Sequence, residues 1–247
     1  MKQTIEMPAY QSQSCAKSHV GNVRKSNQDA YVCLEEAGVW AVADGMGGHE
    51  AGELASSIIA EKLETIGDCA DLEGLRVAVV EALELANSEL VGMADRFTPG
   101  LAAGSTVAVL LIHDDEGMVL WAGDSRLYRL REGHLVQLTR DHSHVQTLID
   151  EKVIQPEDAE SHPMAHLITR AVGFNEPLAL QSSRLSVQPG DRYLLCSDGL
   201  NRVLPDPIIK QHLHAPEIEI AAGSLLTETL EAGAPDNVTI VVVETSK

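Results

Sequence analysis

Val39-Trp40-Ala41-Val42-Ala43-Asp44-Gly45-Met46-Gly47-Gly48 runs from an unbroken apolar segment into an aspartate and a glycine-rich turn. The segment that follows, Glu50 to Ile66, carries Leu54, Ile58, Ile59, Leu63 and Ile66 at helical spacing. A buried strand, a tight turn and an amphipathic helix are the units this pattern predicts. The aspartate turn recurs twice downstream. Tyr193-Leu194-Leu195-Cys196 precedes Ser197-Asp198-Gly199, and Pro235-Asp236-Asn237 opens the apolar run Val238-Thr239-Ile240-Val241-Val242-Val243. Carboxylates gathered at strand ends repel one another by roughly 4 kcal/mol per close pair, at about 4 Å and an effective dielectric near 20. Divalent cations would remove that repulsion, so the three turns read as a hard-metal site.

Working outward, Asp71 to Met93 repeats the helical pattern through Leu75, Val79, Leu83, Ala86 and Leu90. Thr106 to Ile112 and Met118 to Ala122 read as strands joined by the hairpin composition Asp114-Asp115-Glu116-Gly117. Arg126 to Arg131 and Leu135 to Leu138 make a further strand pair around Glu132-Gly133-His134. Arg140 to Asn175 lacks sustained periodicity apart from short helical pieces such as Val145 to Val153. It reads as an irregular excursion beside the site. Asp206-Pro207 has the form of an N-cap followed by proline at the first helical position, and Pro216 to Ala232 is a helix stopped by Gly233. Val238 to Glu244 has the continuous apolar character of a central strand covered on both faces. Strands grouped around helix pairs predict an α+β layered fold with sheets inside and helices outside.

The bulk properties narrow the function. At 247 residues, with no repeat and no Pro/Gly/Ser-rich linker, the chain reads as one domain, 1–247. A formal net charge of −19 argues against nucleic-acid partners, which need a basic footprint. No stretch approaches the roughly 18 apolar residues of a membrane span, and the N-terminus lacks the apolar centre of a signal peptide, so a cytoplasmic protein without membrane contact is expected. Cys15, Cys33, Cys69 and Cys196 show no C-x-x-C spacing and read as reduced, mostly buried thiols.

Upstream of the first aspartate turn, Arg24-Lys25-Ser26-Asn27-Gln28-Asp29 supplies a guanidinium and a further carboxylate. With it the order becomes Arg24-x-x-Asn27-Gln28-Asp29, Asp44-Gly45-Met46-Gly47-Gly48-His49, Gly104-Ser105-Thr106, Gly123-Asp124-Ser125-Arg126, Ser197-Asp198-Gly199 and Asp236-Asn237-x-Thr239. This order resembles the metal-dependent serine/threonine phosphatases of the protein phosphatase 2C family, most of all the compact bacterial members, from about Ser18 to Glu244. The resemblance implies a four-layer αββα sandwich, two central and mostly antiparallel β-sheets flanked by helix pairs. Residues 1–17 would form an N-terminal extension and 140–175 a flap with its adjoining segment.

Carried over by position, the resemblance implies that Asp44 bridges two Mn²⁺ or Mg²⁺ ions, with the Gly45 carbonyl on the second ion and Asp198 and Asp236 on the first. Asp29 would act from behind through metal-bound waters. Asp124, sharing Asp198, would hold the third, weaker ion of bacterial members. Arg24 would grip the phosphoryl oxygens with its planar fork. A hydroxide bridging the ions would attack phosphorus directly, without a phospho-enzyme. Eukaryotic relatives place a proposed general acid, histidine, where this chain has Met46; His49 or a metal-bound water could take that role. Gln28 stands where many relatives have glutamate, and His166 where bacterial relatives have asparagine. The expected substrates are phosphoserine and phosphothreonine in proteins, opposing a bacterial serine/threonine kinase, and the expected state is a monomer.

Rival readings are weaker. The Asp44 to Gly52 loop resembles a dinucleotide turn, but Glu50 replaces the third glycine and Asp44 would repel a pyrophosphate. His142, His144 and His162 lack the helical presentation of a zinc site and read as flap or surface histidines. Ser105 and Ser197 lie in no nucleophile elbow. A catalytically weak phosphoprotein-binding module of the same fold, and a two-metal nuclease, remain as alternatives from other classes.

Overall fold

The computed structural model describes residues 11–47, 49–94 and 103–247. In chain order the strands are β1 (Gln11–His19), β2 (Asp29–Leu34), β3 (Val39–Met46), β4 (Gly104–Ser105), β5 (Val107–His113), β6 (Glu116–Ala122), β7 (Arg126–Arg131), β8 (His134–Gln137), β9 (Gln181–Ser186), β10 (Arg192–Cys196) and β11 (Val238–Ser246). The helices are α1 (His49–Leu63), α2 (Leu72–Ala94), α3 (His144–Asp150), α4 (Asp198–Asn201), α5 (Asp206–Leu213) and α6 (Ile218–Glu231). One sheet has the order β1-β11-β10-β7-β8 and the other β2-β3-β5-β6-β9, with β4 pairing the end of β3. Every pairing in both is antiparallel.

The two-residue pleat sorts side chains into separate cores. Val39, Ala41 and Ala43 of β3 pack with Ile59, Leu63, Leu75, Leu83 and Leu90 of α1 and α2. Trp40 and Val42 turn the other way, joining Leu110, Trp121, Tyr193, Leu195, Val241 and Val243 between the sheets. Leu194, Cys196, Val238, Ile240 and Val242 face the second helical layer through Leu200, Ile209, Leu213, Ala222 and Leu225. Three cores between four layers make the αββα sandwich. β3 and β11 are covered on both faces, which explains their lack of polar alternation.

Local differences from expectation have physical reasons. Residues 11–17, expected as part of an extension, lie in β1, which pairs along its whole length with β11 from Gln11↔Ser246 to His19↔Val238. As an edge strand, paired on one side only and without a fully buried residue, β1 needs little apolar character. β9, which is also mostly polar, and β2, an apolar run from Ala30 to Leu34, are the edges of the other sheet. Asp44 sits within β3 and not in a turn, because Gly45 and Met46 extend the ladder to Ser105 and Gly104. The hairpin after β5 turns at Asp114, whose φ is 53°, so β6 begins earlier than expected, at Glu116. At α5, Pro205 occupies the cap position and Asp206 is already helical. Of the cysteines only Cys196 is buried; Cys15, Cys33 and Cys69 are half-buried.

Candidate active site

β3 carries Asp44 to the rim of the sandwich, directly across the ladder from Asp29 of β2. The Asp44 backbone is fixed on its far side by Thr106, whose N–H donates to the Asp44 carbonyl at 2.9 Å. The Thr106 hydroxyl accepts from the Asp44 N–H at 3.2 Å and shares a 2.6 Å hydrogen bond with Ser125. Gly45 follows because nothing larger fits: a Cβ there would come within 2.0 Å of the Gly52 carbonyl oxygen, where α1 crosses the strand end. Thus β3 and α1 meet backbone to backbone beneath the site.

Asp198 and Asp236 come from the neighbouring sheet. Asp198 opens α4 as β10 ends, and Asp236 precedes β11. The Ser197 hydroxyl joins the sheets, donating to Asp29 Oδ2 at 2.8 Å and accepting from the Thr239 N–H at 2.9 Å. Asn237, buried at the start of β11, holds the segment bearing Arg24. Its Nδ2 donates to the carbonyls of Val20 and Ser26, both at 2.9 Å, and its Oδ1 accepts from the Gln28 N–H at 2.8 Å. Arg24 reaches from that segment to Asp236 Oδ2 at 2.7 Å.

These elements bring Arg24, Asp44, Gly45, Asp124, Asp198 and Asp236 to one cleft of about 380 Å³, with Met46, Thr106, His166, Ile168 and Arg202 also in its wall. Asp29 stands behind Asp44 and does not line the cleft. His49 is the first residue of α1, and its side chain lies outside the described residues. His142 is a packing residue: 8% exposed, stacked on Trp121 with ring centroids 5.9 Å apart, it accepts from the Gly123 N–H at 3.2 Å. His162 is half-buried and accepts from the Met164 N–H. Ser105 is fully buried, its hydroxyl donating to the Thr106 carbonyl.

Arg202 carries no motif and gives no signal in the sequence, yet it is central to the charge pattern. Its Nη2 donates to Asp124 Oδ2 at 3.0 Å, and its Nε lies 3.0 Å from Asp198 Oδ2. Only its place four residues after Asp198 on a helical turn could have drawn attention to it.

Burial and crowding of like charges dominate the electrostatics. Burial first, then repulsion from Asp29, Asp198, Asp124 and Asp236, pushes the Asp44 carboxyl well above its ordinary range. Burial raises Asp198 to about 6, against the opposing pull of Arg202. Burial and Asp198 raise Asp124 to about 7. Burial raises Asp29 to about 6 although Thr239 and Ser197 donate to it.

Among the described residues, no three carboxylates, imidazoles or thiols are already closed on one metal-sized point. The donor set nevertheless fits hard divalent ions. It consists of oxygens, holds more negative charge than Arg24, Lys25 and Arg202 can balance, and includes Asp29 Oδ1, which is buried without a hydrogen-bond partner.

The chain matches the family model of protein phosphatase 2C over residues 17–232. It is 38% identical over 229 residues to the serine/threonine protein phosphatase PstP of Mycobacterium tuberculosis, an alignment covering 93% of this chain but 44% of that relative, so the chain spans less than half its length. Among solved structures, PppA, described as a key regulatory component of T6SS in Pseudomonas aeruginosa, superposes with a TM-score of 0.89 at 41% identity over 96% of this chain and 99% of that one. The catalytic domain of a PstP in complex with two manganese ions gives 0.87 at 35% identity, over 96% and 100% of the two chains.

Proposed function

The chain belongs to the protein phosphatase 2C family, and from this we propose that it is a Mn²⁺- or Mg²⁺-dependent phosphatase that hydrolyses phosphoserine and phosphothreonine in proteins. The observation that carries the reading is the single cleft in which Asp44, Asp124, Asp198 and Asp236 converge beside Arg24. A relative of known structure holds two manganese ions, which supports the same requirement here. Asp44, the Gly45 carbonyl, Asp198 and Asp236 would hold the ions, with Asp29 behind them. When bound, such ions supply charge neutralisation and an activated water near neutral pH.

The chain's own residues supply the rest. Arg24, tethered through Asn237 to β11, presents its fork at the mouth of the cleft, 54% exposed. In that position it suits a phosphoryl group on an incoming protein segment. Thr106 and Ser125 fix the Asp44 backbone, so the carboxylate that would hold the ions is placed before substrate arrives. The acidic chain suits a protein substrate better than a nucleic acid. A serine/threonine kinase that supplies the substrate, a cytoplasmic location and a monomeric state complete the proposal; no helix among the described residues is long and apolar enough to cross a membrane.

The test is release of phosphate from a phosphothreonine peptide in Mn²⁺, with a bis-ester substrate beside it. Turnover of the peptide with little of the bis-ester supports the phosphatase. Stable capture of the intact phosphopeptide would instead support a binding module, and preference for the bis-ester a nuclease.

A further inference from the structure

Arg202 closes α4 at its C-terminal end, its N–H donating to the Asp198 carbonyl at 3.0 Å. That turn returns the guanidinium over the Asp198 side chain, where it spans two carboxylates from different parts of the chain. Nε meets Asp198 Oδ2 and Nη2 meets Asp124 Oδ2, each at 3.0 Å. Its other contacts come from the irregular 140–175 segment: Nη1 meets His166 Nδ1, and Nη2 points at the Ala165 carbonyl at 3.5 Å. The Arg202 side chain is 20% exposed and Asp124 8%.

We propose that Arg202 is the resident cation between Asp124 and Asp198, taking the place a third, weaker metal ion would otherwise occupy. This rests on the reading of the site as a two-ion centre. A guanidinium offers several donors in a fixed plane and stays charged at any working pH, so it satisfies both carboxylates at once. A divalent ion seeking the same oxygens would have to displace the fork and then lie beside its positive charge. Contacts to Ala165 and His166 on one side and to α4 on the other hold the fork in place. Asp124 is therefore a partner for Arg202 and not a metal ligand, and the same guanidinium ties the 140–175 segment to the acidic cluster.

The readout is ion stoichiometry, by equilibrium dialysis against fixed free Mn²⁺ and elemental analysis of the full chain. Arg202→Met should bind one more ion than the native chain, and Arg202→Lys, which keeps the charge, should bind the native number. Asp124→Asn in the native background should leave the count unchanged, and adding it to Arg202→Met should remove the extra ion. An Asp124→Asn chain that loses an ion relative to native would overturn the proposal, even if Arg202→Met failed to fold. Equal counts in native and folded Arg202→Met would overturn it too while leaving the two-ion reading intact. A native chain that binds no Mn²⁺ would overturn both.

Discussion

Asn237 shows how much of the site rests on one neutral side chain. Its amide holds Val20, Ser26 and Gln28, and so sets where Arg24 stands. Asn237→Ala should lower stability by about 2–4 kcal/mol, since each lost bond is worth roughly 1 kcal/mol and buried groups are left unpaired. It should also lower kcat/KM on the order of tenfold to a hundredfold through misplacement of Arg24, the arginine proposed to bind phosphate. Denaturant melts and steady-state kinetics check both effects, and unchanged kinetics would show that Arg24 is positioned by other means. The buried carboxyls make a prediction with a definite sign. Asp29 and Asp198 are raised to about 6 and Asp124 to about 7, so the ion-free fold binds these protons more tightly than the unfolded chain does. Their contribution to stability is fully present below the unfolded value of 3.8 and is lost as pH rises through about 6 to 7. In chelator, Tm should therefore fall between pH 5 and 7.5, and the gain on adding Mn²⁺ should be larger at pH 7.5. Equal gains at the two pH values would contradict the crowding of these groups. The carboxylates were legible in the sequence because each follows or precedes an apolar run at a turn-forming residue. Arg202 was not, because an arginine at the end of a four-residue helix looks like any surface charge until Asp124 is placed beside it. Nor could the Asp29–Asp44 register be read before β2 and β3 were known to pair.

Among the elements, β1 decides whether the first part of the chain is ornament or structure. It covers one edge of β11, a strand whose residues Val238 to Val243 are fully buried. Deleting the chain through His19 should uncover that edge and give aggregated or non-cooperatively melting protein, whereas a dispensable extension would leave the melt unchanged. Gly45→Ala tests the crossing of β3 and α1. Its Cβ would meet the Gly52 carbonyl oxygen at 2.0 Å and the Gln28 carbonyl oxygen at 2.7 Å. Backbone cannot yield as a side-chain tip can, so a loss of about 3 kcal/mol or more is expected in a denaturant melt. Central elements announced themselves: β3, β5, β6 and β11 by apolar runs, α1 and α2 by helical spacing. β1 and β9 did not, because these edge strands carry mixed, partly polar sequences, and pairing partners far along the chain supply what their own residues do not.

For the whole molecule, the sandwich works as a frame that holds two sheet rims together against their own charge. One sheet contributes Asp29 and Asp44, the other leads into Asp198 and Asp236, and Ser197 bonds across the gap. In a chain of net charge −19, ions bound between the rims should raise Tm, by an amount equivalent to about 2.7 kcal/mol at a hundredfold excess over Kd. The central claim is that this cleft releases phosphate from phosphoproteins only with its ions in place. It is tested most directly by phosphate release from a phosphothreonine peptide in Mn²⁺, in chelator, and with Asp44→Asn. Turnover in Mn²⁺ that disappears in chelator and falls about a hundredfold or more in Asp44→Asn is the predicted result; undiminished release in chelator would contradict it.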